Sequence, residues 1–166
     1  MGIVPAIQVR AASVDDAPEV QAVAAAAWRD TYAGLLRPET IEAFIERAYS
    51  IERLERRIGD DTFLVAVDGT SIIAFCDALS PEDRVDLLAI YALPSSRGRG
   101  AGTALLDALR TRYPGRIVVA EVLVGNRKGE VFYERRGFEP GETVETELFG
   151  EPVVERRWRL AAEPPS

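Results

Sequence analysis

No histidine occurs among the 166 residues, and cysteine occurs once, at Cys76. The first absence excludes Ser-His-Asp and Cys-His nucleophile chemistry and any histidine-ligated zinc or haem. The second excludes an intramolecular disulfide framework and multi-cysteine metal sites, so no metal is expected. Long apolar runs are also missing. None approaches the ~18 residues of a membrane span, which argues against a membrane partner. The opening Met1–Ala6 lacks the basic region and long apolar core of a secretory leader, and the reading is a cytoplasmic protein. Positive charge is the minority: 20 Lys and Arg against 27 Asp and Glu give a net charge of −7, which disfavours a nucleic-acid partner and suits a cationic one.

With 47% hydrophobic and 28% charged residues, the chain reads as one globular domain over 1–166, with a frayed tail at 161–166. A strand over Ile7–Ala11 leads to a helix capped by Ser13. In that helix Val20, Val23, Ala24, Ala27 and Trp28 recur at helical spacing. Gly34 ends it, and two further amphipathic stretches follow, Pro38–Ala48 and Ser50–Ile58. Thr62–Val67 and Ser71–Leu79 flank Asp68-Gly69, a hairpin signal, and Val85–Leu93 adds a third strand. A glycine-rich loop then opens a helix with Ala104, Leu105, Ala108 and Leu109 facing inward. Strand Arg116–Val124, a helix from about Arg127 to Arg136, and a hairpin of Thr143–Leu148 with Val153–Leu160 complete the chain. Antiparallel strands followed by strand–helix–strand predict an α+β domain with a mixed central sheet.

The loop Arg97-Gly98-Arg99-Gly100-Ala101-Gly102-Thr103 lies between a strand and a helix. Alternating glycines let backbone amides approach an anion. The helix N-terminus adds unpaired donors and a favourable dipole, and Arg97 and Arg99 add cations. A phosphate-binding Gly-Lys-Ser/Thr is absent, and the G-x-G-x-G spacing departs from the dinucleotide fingerprint G-x-G-x-x-G.

Arg97-x-x-Gly100-x-Gly102 after Ala92-Leu93-Pro94 resembles motif A of the GNAT superfamily of acyl-CoA-dependent N-acyltransferases. Asn126 followed by Tyr133-x-x-x-Gly137-Phe138 resembles its motif B at the family's usual spacing. The resemblance implies a mostly antiparallel sheet of about seven strands flanked by helices and splayed between the fourth and fifth strands. It also implies acetyl-CoA as co-substrate, transfer of acetyl to an amine-bearing acceptor, and homodimerisation through the last strands. Backbone groups of Ile90, Tyr91 and Ala92 would pair with the pantetheine arm. The amides of Gly98 to Thr103 would hold the pyrophosphate, Asn126 would hold the pantetheine or acetyl end, and Tyr133 would protonate the departing sulfur. A rival reading keeps the fold and the CoA site but makes the chain a silent CoA- or partner-binding module.

An amine near pKa ~10.4 must lose its proton before attacking a thioester, so a carboxylate base is wanted beside the acceptor. Alternation in Ile117, Val119, Glu121 and Leu123 puts Glu121 among apolar neighbours, where burial would raise its pKa. By resemblance, ribosomal-protein N-terminal acetyltransferases carry a catalytic glutamate at this position, five residues before Asn126. Asp86, at the start of the preceding strand and on the side of Ile90 and Ala92, is the rival, and a water chain is a third route. Trp28-x-x-x-Tyr32-x-Gly34 resembles a segment of uncharacterised GNAT proteins. Trp28 and Tyr32 share a helix face, as core or as the lining of an acceptor pocket. Cys76, in an apolar strand without a histidine to ionise it, reads as a buried hydrophobe, and Arg135-Arg136 and Arg156-Arg157 as solvated faces or ion pairs.

Overall fold

The computed structural model describes residues 7–163. Its order is β1 (Gln8–Ala11), α1 (Ala17–Tyr32), α2 (Pro38–Ala48), α3 (Ile51–Asp60), β2 (Thr62–Asp68), β3 (Ser71–Leu79), β4 (Arg84–Ala92), α4 (Ala101–Arg112), β5 (Ile117–Leu123), α5 (Arg127–Arg135), β6 (Glu139–Leu148) and β7 (Glu151–Leu160), with short 3-10 turns at Val14–Asp16 and Pro94–Ser96. The expected leader-free residues 1–6 and the tail residues 164–166 lie outside the described residues. At 161–163, Arg110 donates to the Ala161 carbonyl at 3.2 Å and pairs with Glu163 at 3.2 Å.

Seven strands form one sheet in the order β1-β2-β3-β4-β5-β7-β6, and every neighbouring pair is antiparallel except β4 with β5. The architecture is the expected α+β domain. Period-2 apolar patterning makes the strands, and Gly69 at φ 63° supplies the left-handed residue that the β2–β3 turn needs. Each sheet face carries its own core. On one face Leu105, Leu106 and Leu109 of α4 pack with Val118, Ala120 and Trp158. On the other, Val20, Ala24 and Trp28 of α1 pack with Leu54, Phe63 and Phe75.

Three local expectations shift. Ser13 caps the 3-10 turn rather than the helix, its amide donating to Asp16 at 2.7 Å, and α1 begins only at Ala17. In α4, Leu105 and Leu109 are buried as expected and Ala101 and Leu106 join them, whereas Ala104 and Ala108 are only half-buried. β6 begins at Glu139, four residues earlier than expected, since an irregularity between Pro140 and Thr143 lets pairing with β7 continue past the proline. Among the described residues, no helix is long and apolar enough to cross a membrane.

Candidate active site

The parallel pairing of β4 with β5 covers only Arg84–Leu87 against Ile117–Ala120. Beyond Leu87 and Ala120 the two strands part, as expected for a sheet splayed between its fourth and fifth strands, and a cavity of about 440 Å³ fills the gap. One cause is local. In the β3–β4 register Ala78 pairs with Leu87 and Asp77 with Ala89, so Leu88 is the extra residue of a bulge. The bulge reverses the strand's face parity. Leu87 packs on the α4 side with Ile90 and Ala92, whereas Ala89 packs on the α1 side with Tyr91. Asp86 therefore faces the opposite side from Ile90 and Ala92, against expectation. It is held by Arg84 at 2.8 Å and does not line the cavity. Ile90, Tyr91 and Ala92 all do.

The glycine loop closes one end of this cavity. Gly98 and Gly100 sit at φ 81° and 85°, conformations that side-chain-bearing residues rarely adopt, and Gly100 is the N-cap of α4. The first intrahelical bond runs from Ala104 N to Gly100 O at 2.9 Å, so the amides of Ala101, Gly102 and Thr103 have no partner within the helix. Gly102 is constrained differently: a Cβ there would stand 2.6 Å from Phe132 Cε2, so α4 and α5 meet through it. The expected cations are partly committed. Arg97 pairs with Asp30 and donates to Thr31 Oγ1 at 3.1 Å, while Arg99 is drawn to Asp68 at 2.8 Å, away from the cavity. Lys128 also reaches Asp30 at 2.8 Å, and the two cations hold that carboxyl down at about 2. Thr103 does not line the cavity either; its hydroxyl accepts from Arg136 Nε at 3.0 Å.

Tyr133 lines the cavity from α5. Its ring packs edge-on to Phe132 and Phe138 at 5.2 and 4.8 Å, and it is 7% exposed. Burial pushes its phenol well above the ordinary value, with the charges of Tyr32 and Cys76 adding, so it stays protonated at neutral pH. Asn126 caps α5, its Oδ1 accepting from Gly129 N at 3.0 Å, which leaves the Nδ2 end for other partners.

On the α1 side, Tyr32 and Tyr91 join hydroxyls at 2.8 Å and both line the cavity. Burial first, opposed by the Tyr91 hydrogen bond, sets the Tyr32 phenol at about 12. Trp28 does not line the cavity. It is 5% exposed and stacks on Phe44 at 3.8 Å, so of the two residues on that helix face one is core and one is pocket. Glu121 lines the cavity but departs from expectation, because its side chain is 51% exposed and meets Arg157 at 3.3 Å instead of being buried. The residues that alternate with it, Val118, Ala120 and Val122, occupy the buried face. Cys76 is fully buried, and burial pushes its thiol up to about 12, which removes it as a nucleophile.

A family model described as an acetyltransferase (GNAT) domain matches residues 59–140, the span that carries the glycine loop, Asn126 and Tyr133. A spermidine N(1)-acetyltransferase of Thermoplasma acidophilum is 29% identical over 158 residues, covering 90% of this chain and 98% of that protein. A probable N-acetyltransferase of Mycobacterium tuberculosis is 27% identical over 141 residues, covering 80% and 79%. The crystal structure of the PaiA N-acetyltransferase of T. acidophilum, in complex with coenzyme A, matches with a TM-score of 0.78 at 26% identity over 92% of this chain and 98% of that one. The chain belongs to the GNAT acetyltransferase superfamily.

Arg136, expected on a solvated face or in an ion pair, and Glu155, which the sequence did not single out, both bear on this cavity. Arg136 is half-buried in the cavity wall, 3.7 Å above the Phe132 ring, and donates to the Phe132 carbonyl at 2.9 Å. Burial, with the charge of Arg135, lowers its pKa. The Phe132-x-x-x-Arg136 spacing was the available signal. Glu155 on β7 lies on the same sheet face as Glu121, and its signal exists only in the strand register. Among the described residues, no group of three or more His, Cys, Asp or Glu is placed to hold a metal ion.

Proposed function

We propose that this GNAT enzyme transfers the acetyl group of acetyl-CoA directly to a primary amine, with no covalent enzyme intermediate. The observation that carries the reading is one cavity, opened by the parting of β4 and β5, that joins the glycine loop to the Tyr133 hydroxyl. The residues present fit acetyl-CoA. Gly98 and Gly100 in left-handed conformations, with the unpartnered first-turn amides of α4, form a cradle for a pyrophosphate. The β4 edge beyond Leu87, which has no strand partner on the β5 side, leaves backbone groups of Ile90 to Ala92 free for an extended pantetheine arm.

In this reading the bound acetyl-CoA supplies an activated acyl carbon, and the chain does the rest. The amides of Gly98, Gly100, Ala101 and Gly102 hold the phosphates, aided by the half-buried Arg136 guanidinium. Asn126 Nδ2 orients the acyl end. Removing a proton from an alkyl ammonium at neutral pH costs roughly 4–5 kcal/mol, and Glu121 at the cavity rim is the carboxylate that accepts it. Tyr133, kept neutral by burial, donates to the departing sulfur. Tyr32 and Tyr91 wall the acceptor side. A small polyamine is the acceptor class best supported: Glu121 places a carboxylate on the cavity wall, and the T. acidophilum relative is named for spermidine.

Thermal unfolding with and without acetyl-CoA tests the first half. Ligand at ~100 Kd should stabilise the fold by about 2.7 kcal/mol. An amine panel that includes spermidine, followed by thiol release and product mass, tests the second. Binding without acetylation of any amine would refute the acceptor assignment; no shift with acetyl-CoA would refute the cradle.

A further inference from the structure

Two carboxylates from neighbouring strands meet at the rim of the cavity. Across β5 and β7, Glu121 pairs with Arg157 and Leu123 with Glu155, which makes Glu121 and Glu155 diagonal neighbours, within mutual reach of long side chains. Leu123 and Val153 of the same alternation belong to the α1-side core, so both glutamates project toward α1. Glu121 lines the cavity, while Glu155 beside it is half-buried. Burial first, then a hydrogen bond and the charge of Glu121, raise the Glu155 carboxyl.

The charges around the pair leave it short of compensation. From β7, Arg157 approaches Glu121 at 3.3 Å but is shared with Glu142 of β6 at 3.5 Å. From α1 comes only the Tyr32 phenol, whose hydroxyl is bonded to Tyr91 and which feels the Glu155 charge. Lys128, the lysine in the cavity wall, is committed to Asp30 at 2.8 Å. Two carboxylates thus share one guanidinium, and Glu155 has no ion-pair partner among the described residues. Independently, Tyr133 lines the same cavity more than nine-tenths buried, and no group among the described residues hydrogen-bonds its hydroxyl. That hydroxyl is therefore open to the cavity.

Resting on the acetyl-transfer reading above, we propose that Glu121 and Glu155 act as a single proton-accepting pair, in which Glu121 takes the proton of the acceptor ammonium and Glu155 is the positioning residue that shares and holds it. A lone carboxylate is a weak base for an ammonium. A second carboxylate placed diagonally across the strands raises the pair's affinity for one proton and narrows that gap. In the step, an ammonium N–H bond breaks and an O–H bond forms on the pair. The freed nitrogen lone pair bonds to the thioester carbonyl carbon, and the C–S bond breaks with its electrons going to sulfur. Tyr133 gives sulfur a proton and recovers the second proton lost by nitrogen. The pair then releases its own proton to solvent at the exposed Glu121 rim. The acceptor this arrangement selects is a cation.

Carboxyl 13C titration of the ligand-free protein reads the pair without turnover. Coupled titration, each step sensed at both Glu121 and Glu155 and collapsing to one step at lower pH in Glu155→Gln, is the expected result; two independent single-step curves overturn the proposal. With spermidine as the probe acceptor, Glu155→Gln should shift the acid limb of the kcat/KM profile to lower pH. It should also lower the plateau about tenfold, since a general base gains with its pKa, and leave the KM for acetyl-CoA unchanged. Glu155→Asp should restore the limb. A wild-type profile in Glu155→Gln overturns the proposal. A wild-type protein that binds acetyl-CoA yet acetylates no amine overturns the amine reading and the pair's use in catalysis, whereas coupled titration would survive it, so the two failures are distinguishable.

Discussion

Replacing Tyr133 with phenylalanine separates chemistry from packing at one atom. The ring keeps its neighbours, Phe132 and Phe138 at 5.2 and 4.8 Å and Trp158 at 6.4 Å, because only the hydroxyl is removed. The Tyr133 side chain lines the cavity and its hydroxyl has no hydrogen bond to lose among the described residues, so stability should stay within about 1 kcal/mol of wild type. The catalytic cost follows from the leaving group. A thiolate of pKa ~8.5 released at pH 7 without an acid is about 1.5 units uphill, roughly 2 kcal/mol or about thirtyfold in rate. This lies below the 10²–10⁴ typical of general acids, because thiolate leaves readily. Steady-state thiol release should therefore show kcat down about thirtyfold, the KM for acetyl-CoA changed by less than about threefold, and the deficit shrinking as pH rises past the thiol pKa. Unchanged kcat refutes the acid role. A collapse of Tm with kcat would mean that the hydroxyl serves the core instead.

Gly102→Ala would place a Cβ 2.6 Å from Phe132 Cε2, and Phe132 cannot retreat freely beneath Arg136 at 3.7 Å; a loss of about 1–3 kcal/mol, read as a lower urea midpoint, is expected. Arg57→Ala strands Asp77, which is fully buried and paired with Arg57 at 2.8 Å, and should cost about 3–5 kcal/mol; a loss below about 1 kcal/mol would show that the pair contributes little. Burial, with Asp61 adding and Arg57 opposing, pushes the Asp77 carboxyl up to about 7. The native state then holds a proton that the unfolded chain has released, so this contribution favours folding at low pH and is lost as pH rises from about 4 to 7. Urea unfolding at pH 5 and pH 7.5 should show wild type losing stability relative to Asp77→Asn; parallel behaviour would refute the assignment.

Much of this site was legible in the sequence because its signals are local. Gly98 and Gly100 take left-handed conformations that only glycine enters cheaply, and Asn126 caps the helix that carries Tyr133 seven residues on. These are properties of a turn or a cap, fixed within a few residues, and no tertiary contact is needed to read them. The period-2 strands and the Gly69 turn were legible for the same reason.

What the sequence left undecided depends on pairing register and on contacts between distant elements. The bulge at Leu88 turned Asp86 to the wrong face, and alternation alone could not show it, because a single extra residue inverts every side chain beyond it. Trp28 and Tyr32 share a helix face, yet α2 contributes the Phe44 ring that claims Trp28 for the core and leaves Tyr32 to the cavity. Asp77 reads as a charge in an apolar strand until α3 brings Arg57 across 20 residues to neutralise it. Glu121 and Glu155, 34 positions apart, become neighbours only when β7 inserts between β5 and β6. The sequence by itself determined which segments bend, cap and present backbone amides to an anion, since those are local backbone energies. Which carboxylate faces the cavity, and which is spent on the core, was decided by the tertiary structure, because charge compensation is settled by whatever the folded chain places within a few ångströms.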